Sequence, residues 1–314
     1  MNNTISLKGR SLTSNRDFSK EEMEYLFDLA AQLKEKQKNG IEHHLLKGKT
    51  LGMIFEKSST RTRVSFEAGM YQLGGYALYL SSSDLQLGRG ETIADTAKVL
   101  SRYVDGIMAR TYSHKTIEDL AKYGTVPVIN GLSDLEHPCQ VLCDYFTVLE
   151  KKGRLEGITL TYIGDGNNMA NSLLLAGADL GVNVNIIHPG GYSPDKSIVE
   201  IAREKAKISG SVINIGSDID EYIKNSDIIY TDVWISMGQE KETQERHEKF
   251  KAYQVNGALL AKASKDVLVM HCLPAHRGEE ITDEVMDGPH SIVFDQAENR
   301  LHIQKAIMAT LMEG

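Results

Sequence analysis

The sequence lacks a disulfide framework. Its three cysteines, Cys139, Cys143 and Cys272, form no pattern that would staple a small fold, which points to a reducing compartment. It also lacks an apolar signal core at its N-terminus and any apolar run of membrane-spanning length, so cytoplasmic residence is expected. It has no excess of positive charge. The formal net charge of −8 argues against a general binder of nucleic acid or membrane surfaces. Internal repeats and low-complexity segments are absent too. What remains is a chain of 314 residues, 41% hydrophobic and 25% charged, enough for about two globular domains with ample core.

Strand-like and helix-like stretches alternate along this chain. Apolar strands are expected at 51–55, 106–109, 125–130, 158–163, 182–187, 211–215, 227–231 and 267–271. Helical patterns lie near 60–73, 91–103, 115–122, 138–152, 168–180, 196–209, 218–224 and 254–264, with a helical tail from Ser291 to Met312. The alternation predicts an α/β fold with parallel sheets covered on both faces. Lys151-Lys152-Gly153-Arg154 ends a helix with cations and a glycine, and a fresh strand–helix series follows. A domain boundary is therefore expected near 150.

Ser58-Ser59-Thr60-Arg61-Thr62-Arg63 follows the apolar run 51–55 and opens a helical pattern. A helix N-terminus leaves backbone N–H groups free and favours negative charge. Hydroxyls and the forked guanidiniums of Arg61 and Arg63 add donors suited to phosphate oxygens. The plainer alternative is an ordinary Ser/Thr-capped helix start. A locally basic anion site in an acidic chain suggests a small anionic ligand.

Four further motifs carry polar chemistry. In His137-Pro138-Cys139-Gln140, Pro138 suits the first helical position, leaving His137 and Gln140 to meet a carbonyl or phosphate oxygen, unless His137 merely caps the helix. A zinc site drawn from His137, Cys139, Cys143, His271 and Cys272 lacks the usual ligand spacings, and both helix cysteines equally suit a core face. Gly164-Asp165-Gly166-Asn167-Asn168-Met169 resembles a dinucleotide turn, but Met169 occupies the third glycine position. Asp232 ends a strand where it can hold an ammonium. Beyond it, Trp234 reads as a loop residue or a core anchor, and Gly238 to Glu242 as a mobile loop. His271-Cys272-Leu273-Pro274 ends the last strand. Cys272 there is a nucleophile, a polar contact or plain packing, and Leu273-Pro274 is a candidate cis peptide.

Taken together, Ser59-Thr60-Arg61-Thr62-Arg63, His137-Pro138-Cys139-Gln140, Asp232 with Ser236-Met237-Gly238, His271-Cys272-Leu273-Pro274 and Ala297-Glu298-Asn299-Arg300 resemble the ornithine carbamoyltransferases, of the aspartate/ornithine carbamoyltransferase superfamily, in order and spacing over essentially the whole chain. The resemblance implies two α/β domains, each a mainly parallel sheet flanked by helices, with the active site in the cleft between them. Residues 1–150 would bind carbamoyl phosphate and 151–290 ornithine, with the helix in 291–314 packing back on the first domain. Ser59, Thr60, Arg61 and Thr62 would bind the phosphate. Arg110, His137, Gln140 and Arg300 would complete that site, with Gln86 entering from a neighbouring subunit. Cys272 and Leu273 would contact both substrates; Asn168, Asp232, Ser236 and Met237 would hold ornithine, with Asn167 an alternative to Asn168.

The resemblance further implies transfer of the carbamoyl group to the δ-amine of L-ornithine, giving L-citrulline and phosphate. Arg61, Arg110 and His137 would stabilise charge on the carbonyl oxygen, while Asp232 and Cys272 orient the amine without a covalent cysteine intermediate. Loop 236–242 would close over ornithine. No metal or organic cofactor is implied, and the partners are the two substrates plus further copies of the chain, at least a trimer with shared sites. Carbamoylation of putrescine or another amine, a nucleotide-linked oxidoreductase using Gly164 to Met169, and a catalytically silent phosphate-binding subunit are the rival readings.

Overall fold

In the computed structural model the described residues are 5–86, 90–235 and 243–313. They divide into two compact units. One comprises Met1–Phe146 with Glu298–Gly314, the other Thr147–Ala297.

The first unit is built on a four-stranded parallel sheet. Its strands are β1 (Thr50–Phe55), β2 (Tyr76–Ser81), β3 (Gly106–Arg110) and β4 (Val128–Leu132), in the order β2-β1-β3-β4. Every pairing in it is parallel. Its helices include α1 (Lys20–Lys38), α2 (Thr60–Gln72), α3 (Ile93–Leu100) and α4 (His114–Tyr123), with α5 (Pro138–Lys152) following β4. Ile54, Ile107, Ala109 and Val128 pack with Ala97, Ile117 and Leu120 in one buried cluster, joining the sheet to α3 and α4. This is the near-continuous apolar strand composition that a sheet covered on both faces requires.

The second unit carries β5 (Thr159–Ile163), α6 (Asn168–Leu180), β6 (Asn183–Ile187), α7 (Lys196–Ser209), β7 (Ile213–Gly216), α8 (Ile219–Tyr222), β8 (Ile228–Thr231), α9 (Thr243–Phe250), α10 (Gly257–Leu260), β9 (Leu268–His271) and α11 (Asp283–Met286). Its strands form a parallel sheet ordered β7-β6-β5-β8-β9. Ile163, Ile187, Ile229, Val267 and Val269 anchor its core. The last helix, α12, runs from Val293 to Met312.

The expected α/β class and parallel sheets match this architecture. The differences have physical causes. β4 begins at Val128 and not at 125, because Pro127 has no N–H to give a ladder. The helix expected over 218–224 is present as the α-helical turn α8, capped by Asp218 and continued by a 3-10 turn to Asn225, whereas that expected over 254–264 shrinks to the single turn α10, capped by Asn256. Four elements lie outside the sequence expectations: α1, β2, α9 and α11. α1 has a legible signal, a capping box in which Ser19 and Glu22 each satisfy the other's backbone N–H. β2 is an edge strand whose Tyr76 is 65% exposed, so it shows no buried pattern to read.

Both sheets reverse their winding direction once. In the first, the reversal lies between β1 and β3; in the second, between β5 and β8. At such a switch point the chain leaves adjacent strands in opposite directions and opens a crevice beyond their carboxyl ends. The turn Ser58-Ser59 follows β1 and Arg110 ends β3. The turn Gly164 to Asn167 follows β5 and Asp232 follows β8. Each unit thus presents its expected chemistry at the one place in its sheet where a ligand crevice is built in.

Candidate active site

In the first unit, Ser59 is the N-cap of α2. Its Oγ accepts the N–H of Thr62 at 3.3 Å and donates to Thr62 Oγ1 at 3.1 Å. Thr60 is exposed and Arg61 half-buried at the start of that helix. Arg63 is engaged elsewhere. It pairs with Glu67 at 3.0 Å and lies 3.9 Å over the Tyr79 ring, on the exposed face of the helix. Only Arg61 of the two arginines is therefore left beside the turn. Gln86 is exposed, and its carbonyl accepts the N–H of Glu91.

His137 stands immediately before α5, and Gln140 lies in its first turn. Arg300 of α12 is buried. Its Nη1 donates to Gln140 Oε1 and its Nη2 to Thr62 Oγ1 at 3.1 Å, joining three sequence motifs in one hydrogen-bonded set. Burial holds the His137 imidazole well below its ordinary pKa, and the nearby guanidiniums of Arg300, Arg110 and Arg61 push in the same direction. Three cations thus crowd one buried, neutral imidazole. Such a concentration of positive charge next to a helix N-terminus fits a multiply charged anion.

Cys139 and Cys143 are buried. Cys139 Sγ donates to the Asn130 carbonyl at 3.4 Å, and burial pushes its pKa up to about 12. A thiol held protonated in this way is a packing residue and a poor metal ligand.

In the second unit, Asn167 caps α6, its Oδ1 accepting from the N–H groups of Met169 at 2.9 Å and Ala170 at 3.3 Å. Its Nδ2 donates to Asp232 Oδ2 at 3.0 Å. Cys272 Sγ donates to Asp232 Oδ1 at 2.9 Å. Asp232 is nearly buried, so the turn after β5, the end of β8 and the end of β9 converge on one carboxylate. The turn reaches that carboxylate through Asn167, while Asn168 is the first residue of α6. The Leu273-Pro274 peptide is cis, and Leu273 has a positive φ of 59°. Its N–H donates to His271 Nδ1 at 2.8 Å, while His271 Nε2 meets Glu280 Oε1 at 3.0 Å, so the ring carries its proton on Nε2. Ser236, Met237 and the loop 236–242 lie outside the described residues.

The glycines of the turn after β5 serve the protein's own backbone. A Cβ on Gly166 would lie 2.2 Å from Pro194 N and 2.6 Å from the Tyr192 carbonyl, whose oxygen accepts the Gly166 N–H. The close approach that a dinucleotide turn keeps for a pyrophosphate is taken here by residues 192–194. Trp234 is a core anchor, tilted against Phe250 with ring centroids 6.1 Å apart.

One pair was not visible in the sequence. Arg246 of α9 donates to Asp165 Oδ2 at 2.8 Å and to the Trp234 carbonyl at 3.1 Å, with its guanidinium 4.9 Å over the Tyr192 ring. It therefore ties α9 to the residue two before Asn167 and to the residue two after Asp232. The partners are 81 residues apart, and no local pattern marks either.

A family model described as aspartate/ornithine carbamoyltransferase, carbamoyl-P binding domain, matches residues 10–150. A second, described as aspartate/ornithine carbamoyltransferase, Asp/Orn binding domain, matches residues 156–311. The chain is 58% identical over 310 residues to the ornithine carbamoyltransferase of Thermococcus kodakarensis, covering 99% of this chain and 98% of that one. Its structure is similar to that of ornithine carbamoyltransferase from Pyrococcus furiosus, with a TM-score of 0.96, 56% identity and 99% of each chain covered. It is also similar to anabolic ornithine carbamoyltransferase from Campylobacter jejuni, with a TM-score of 0.89, 42% identity, and 95% and 97% of the two chains covered.

Proposed function

We propose an activity for a chain that belongs to the aspartate/ornithine carbamoyltransferase family: it transfers the carbamoyl group of carbamoyl phosphate to the δ-amine of L-ornithine, giving L-citrulline and phosphate. The observation that carries the chemistry is the set of three guanidiniums around a neutral His137, at the switch point of the first sheet.

In this reading the first unit binds carbamoyl phosphate. The backbone and hydroxyls of Ser59, Thr60 and Thr62, with Arg61, hold the phosphate at the N-terminus of α2. Arg300 and Gln140 bind it from the other side, in an orientation set by their mutual hydrogen bond. Arg110 and His137 address the carbonyl oxygen. A neutral imidazole donates there from one ring nitrogen, and the low pKa of His137 means that it does so without taking up a proton of its own.

The second unit binds ornithine. Asp232 takes the α-ammonium, Asn167 and Asn168 the neighbouring polar groups, and Ser236 with Met237 close the set. Leu273 and Cys272 border both substrates. Cys272 hydrogen-bonds through its sulfur to Asp232, which makes it a positioning thiol and argues against a covalent intermediate. The neutral δ-amine attacks the carbamoyl carbon, forming the C–N bond. The C–O bond to phosphate breaks with its electron pair on phosphate, and the proton that the nitrogen gives up passes to the departing phosphate. Positive charge around the phosphate stabilises this leaving group, and holding the reactants in line removes much of the entropic barrier.

Gln86, exposed here, serves the carbamoyl phosphate site of a neighbouring subunit in a homotrimer. The protein acts in the cytoplasm; among the described residues no helix is long and apolar enough to cross a membrane. The test is phosphate release from carbamoyl phosphate with ornithine, putrescine, N-acetylornithine or aspartate, with citrulline measured in parallel. Ornithine-dependent release matching citrulline supports the reading. Release with putrescine alone overturns the acceptor, and no release with any amine overturns the activity.

A further inference from the structure

Outside these sites the second unit holds a cluster of imidazoles and carboxylates that the proposed reaction does not use. It is built on the tight turn His276-Arg277-Gly278-Glu279-Glu280, which follows the cis proline. Ligand atoms of His276, Glu279 and Glu280 all lie within 4.8 Å of one another. His276 Nδ1 is 3.6 Å from Glu279 Oε2. From α9, His247 Nε2 approaches the same oxygen, also at 3.6 Å. These separations are too long for hydrogen bonds. In a tetrahedral zinc site with ligand bonds of about 2.0–2.1 Å, neighbouring ligand atoms stand about 3.3 Å apart. The His276–Glu279 and His247–Glu279 separations are within a few tenths of an ångström of that spacing, while the other ligand pairs must close from wider separations by rotation of the solvent-accessible His276 and Glu279 side chains.

Glu280 supplies an independent observation. Its side chain is fully buried. Oε1 accepts from the His276 N–H at 2.6 Å and from His271 Nε2 at 3.0 Å. Oε2 is buried with no hydrogen-bond partner among the described residues. A buried carboxylate oxygen left in that state is costly, and a cation is one of the few groups that satisfies it. The scaffold is held in place. Gln254 Nε2 donates to the Gly278 and Glu279 carbonyls at 2.9 and 2.8 Å, the Gly278 N–H reaches the Ile281 carbonyl at 2.8 Å, and Gly278 takes the positive φ the turn demands. Arg277, between the ligands in sequence, is drawn away by Asp283 and Asp287 and so leaves the cluster without a competing cation of its own.

We propose that His276, Glu279 and Glu280, with His247 as fourth ligand, form a binding site for a divalent cation of the zinc type. Two imidazoles and two carboxylates match the nitrogen and oxygen preference of that class and neutralise its charge. The bound ion would join α9 to the turn after Pro274. The neighbouring group Asp232, His271 and Cys272 also lies within 4.8 Å and is the obvious competitor, but it belongs to the proposed ornithine site.

The test is calorimetric titration of Zn²⁺ into the chelator-treated full-length protein and its variants, with thermal unfolding as a second readout. One stoichiometric ion is expected in wild type and in Cys272→Ser. His276→Ala and Glu279→Gln, both on solvent-accessible side chains that the fold tolerates losing, should each weaken it about tenfold or more, and His247→Ala should weaken it less. At equal Zn²⁺ concentration the unfolding temperature of wild type should rise more than that of His276→Ala. Cobalt in place of zinc should give a spectrum without a thiolate charge-transfer band. Absence of stoichiometric binding, loss of it in Cys272→Ser, or unchanged affinity in both His276→Ala and Glu279→Gln would each overturn the proposal.

Discussion

Replacing Arg246 by methionine tests how the ornithine half-site is held. The substitution keeps most of the apolar stem and removes the guanidinium. Asp165 then loses a charged partner at 2.8 Å while its own side chain is only 9% exposed. Breaking a buried ion pair from one side costs about 3–5 kcal/mol, because the remaining charge stays desolvated. The bond to the Trp234 carbonyl and the contact with the Tyr192 ring go as well. For a unit of this size, about 2–4 °C of melting temperature per kcal/mol puts the fall near 10 °C. Thermal unfolding followed by circular dichroism measures it. Because Asp165 lies two residues before Asn167, the KM for ornithine should rise while that for carbamoyl phosphate stays near wild type. Asp165→Asn in the same chain should recover part of the loss, giving a coupling of about 1–3 kcal/mol in a double-mutant cycle. If the two substitutions add without coupling, or if Arg246→Met leaves both the melting temperature and the ornithine KM unchanged, the pair does not hold the half-site and the reasoning fails.

Arg61→Ala should lower kcat by about 10²–10³, the usual loss when one donor to a developing charge is removed, with little change in melting temperature because Arg61 is only half-buried; near-normal turnover in a steady-state assay would refute its role. Gly166→Ala should cost about 1–3 kcal/mol by forcing a Cβ against the backbone of residues 192–194, and should raise the ornithine KM through Asn167; denaturant titration with kinetics checks both. His43, His114 and His137 all have lowered pKa values, in each case chiefly through burial. The unfolded chain therefore binds more protons than the folded one once the pH drops below their ordinary value of 6.5, so stability should be level above that point and fall as the pH falls below it. Urea midpoints at several pH values between about 5 and 8 would show this, and a midpoint that rose on acidification would contradict it.

Much of the local structure is legible in the residues. Pro138 begins α5 where a missing N–H costs nothing, and Ser59 and Asn167 cap the helices they precede. The capping box at Ser19 and Glu22 was equally readable but precedes a helix that carries no polar motif. β2 was hidden for a different reason. Its edge position leaves Tyr76 and Tyr79 partly in solvent, so its six residues show neither a buried run nor clean alternation. α9 is polar throughout apart from its last residue, and its buried Arg246 breaks the rule that charge marks the outside. The spacing of Cys139 and Cys143 spoke against zinc and allowed a core face, and the structure adds the burial that keeps the Cys139 thiol protonated.

The sequence by itself determined the chemistry available and the strand–turn–helix units that carry it, because turns, caps and periodicity depend on residues within a few positions of one another. Only the tertiary structure decided which turns share a site. Thr62 and Arg300 meet across 238 residues, and Asn167 and Asp232 across 65. The second follows from strand order, β5 beside β8, and the first from the packing of α12 on α2, where Gly69 faces Met308 and Lys305; both are set by how whole elements pair and bury their faces. No local pattern encodes that order, since each parallel strand looks alike from its own residues.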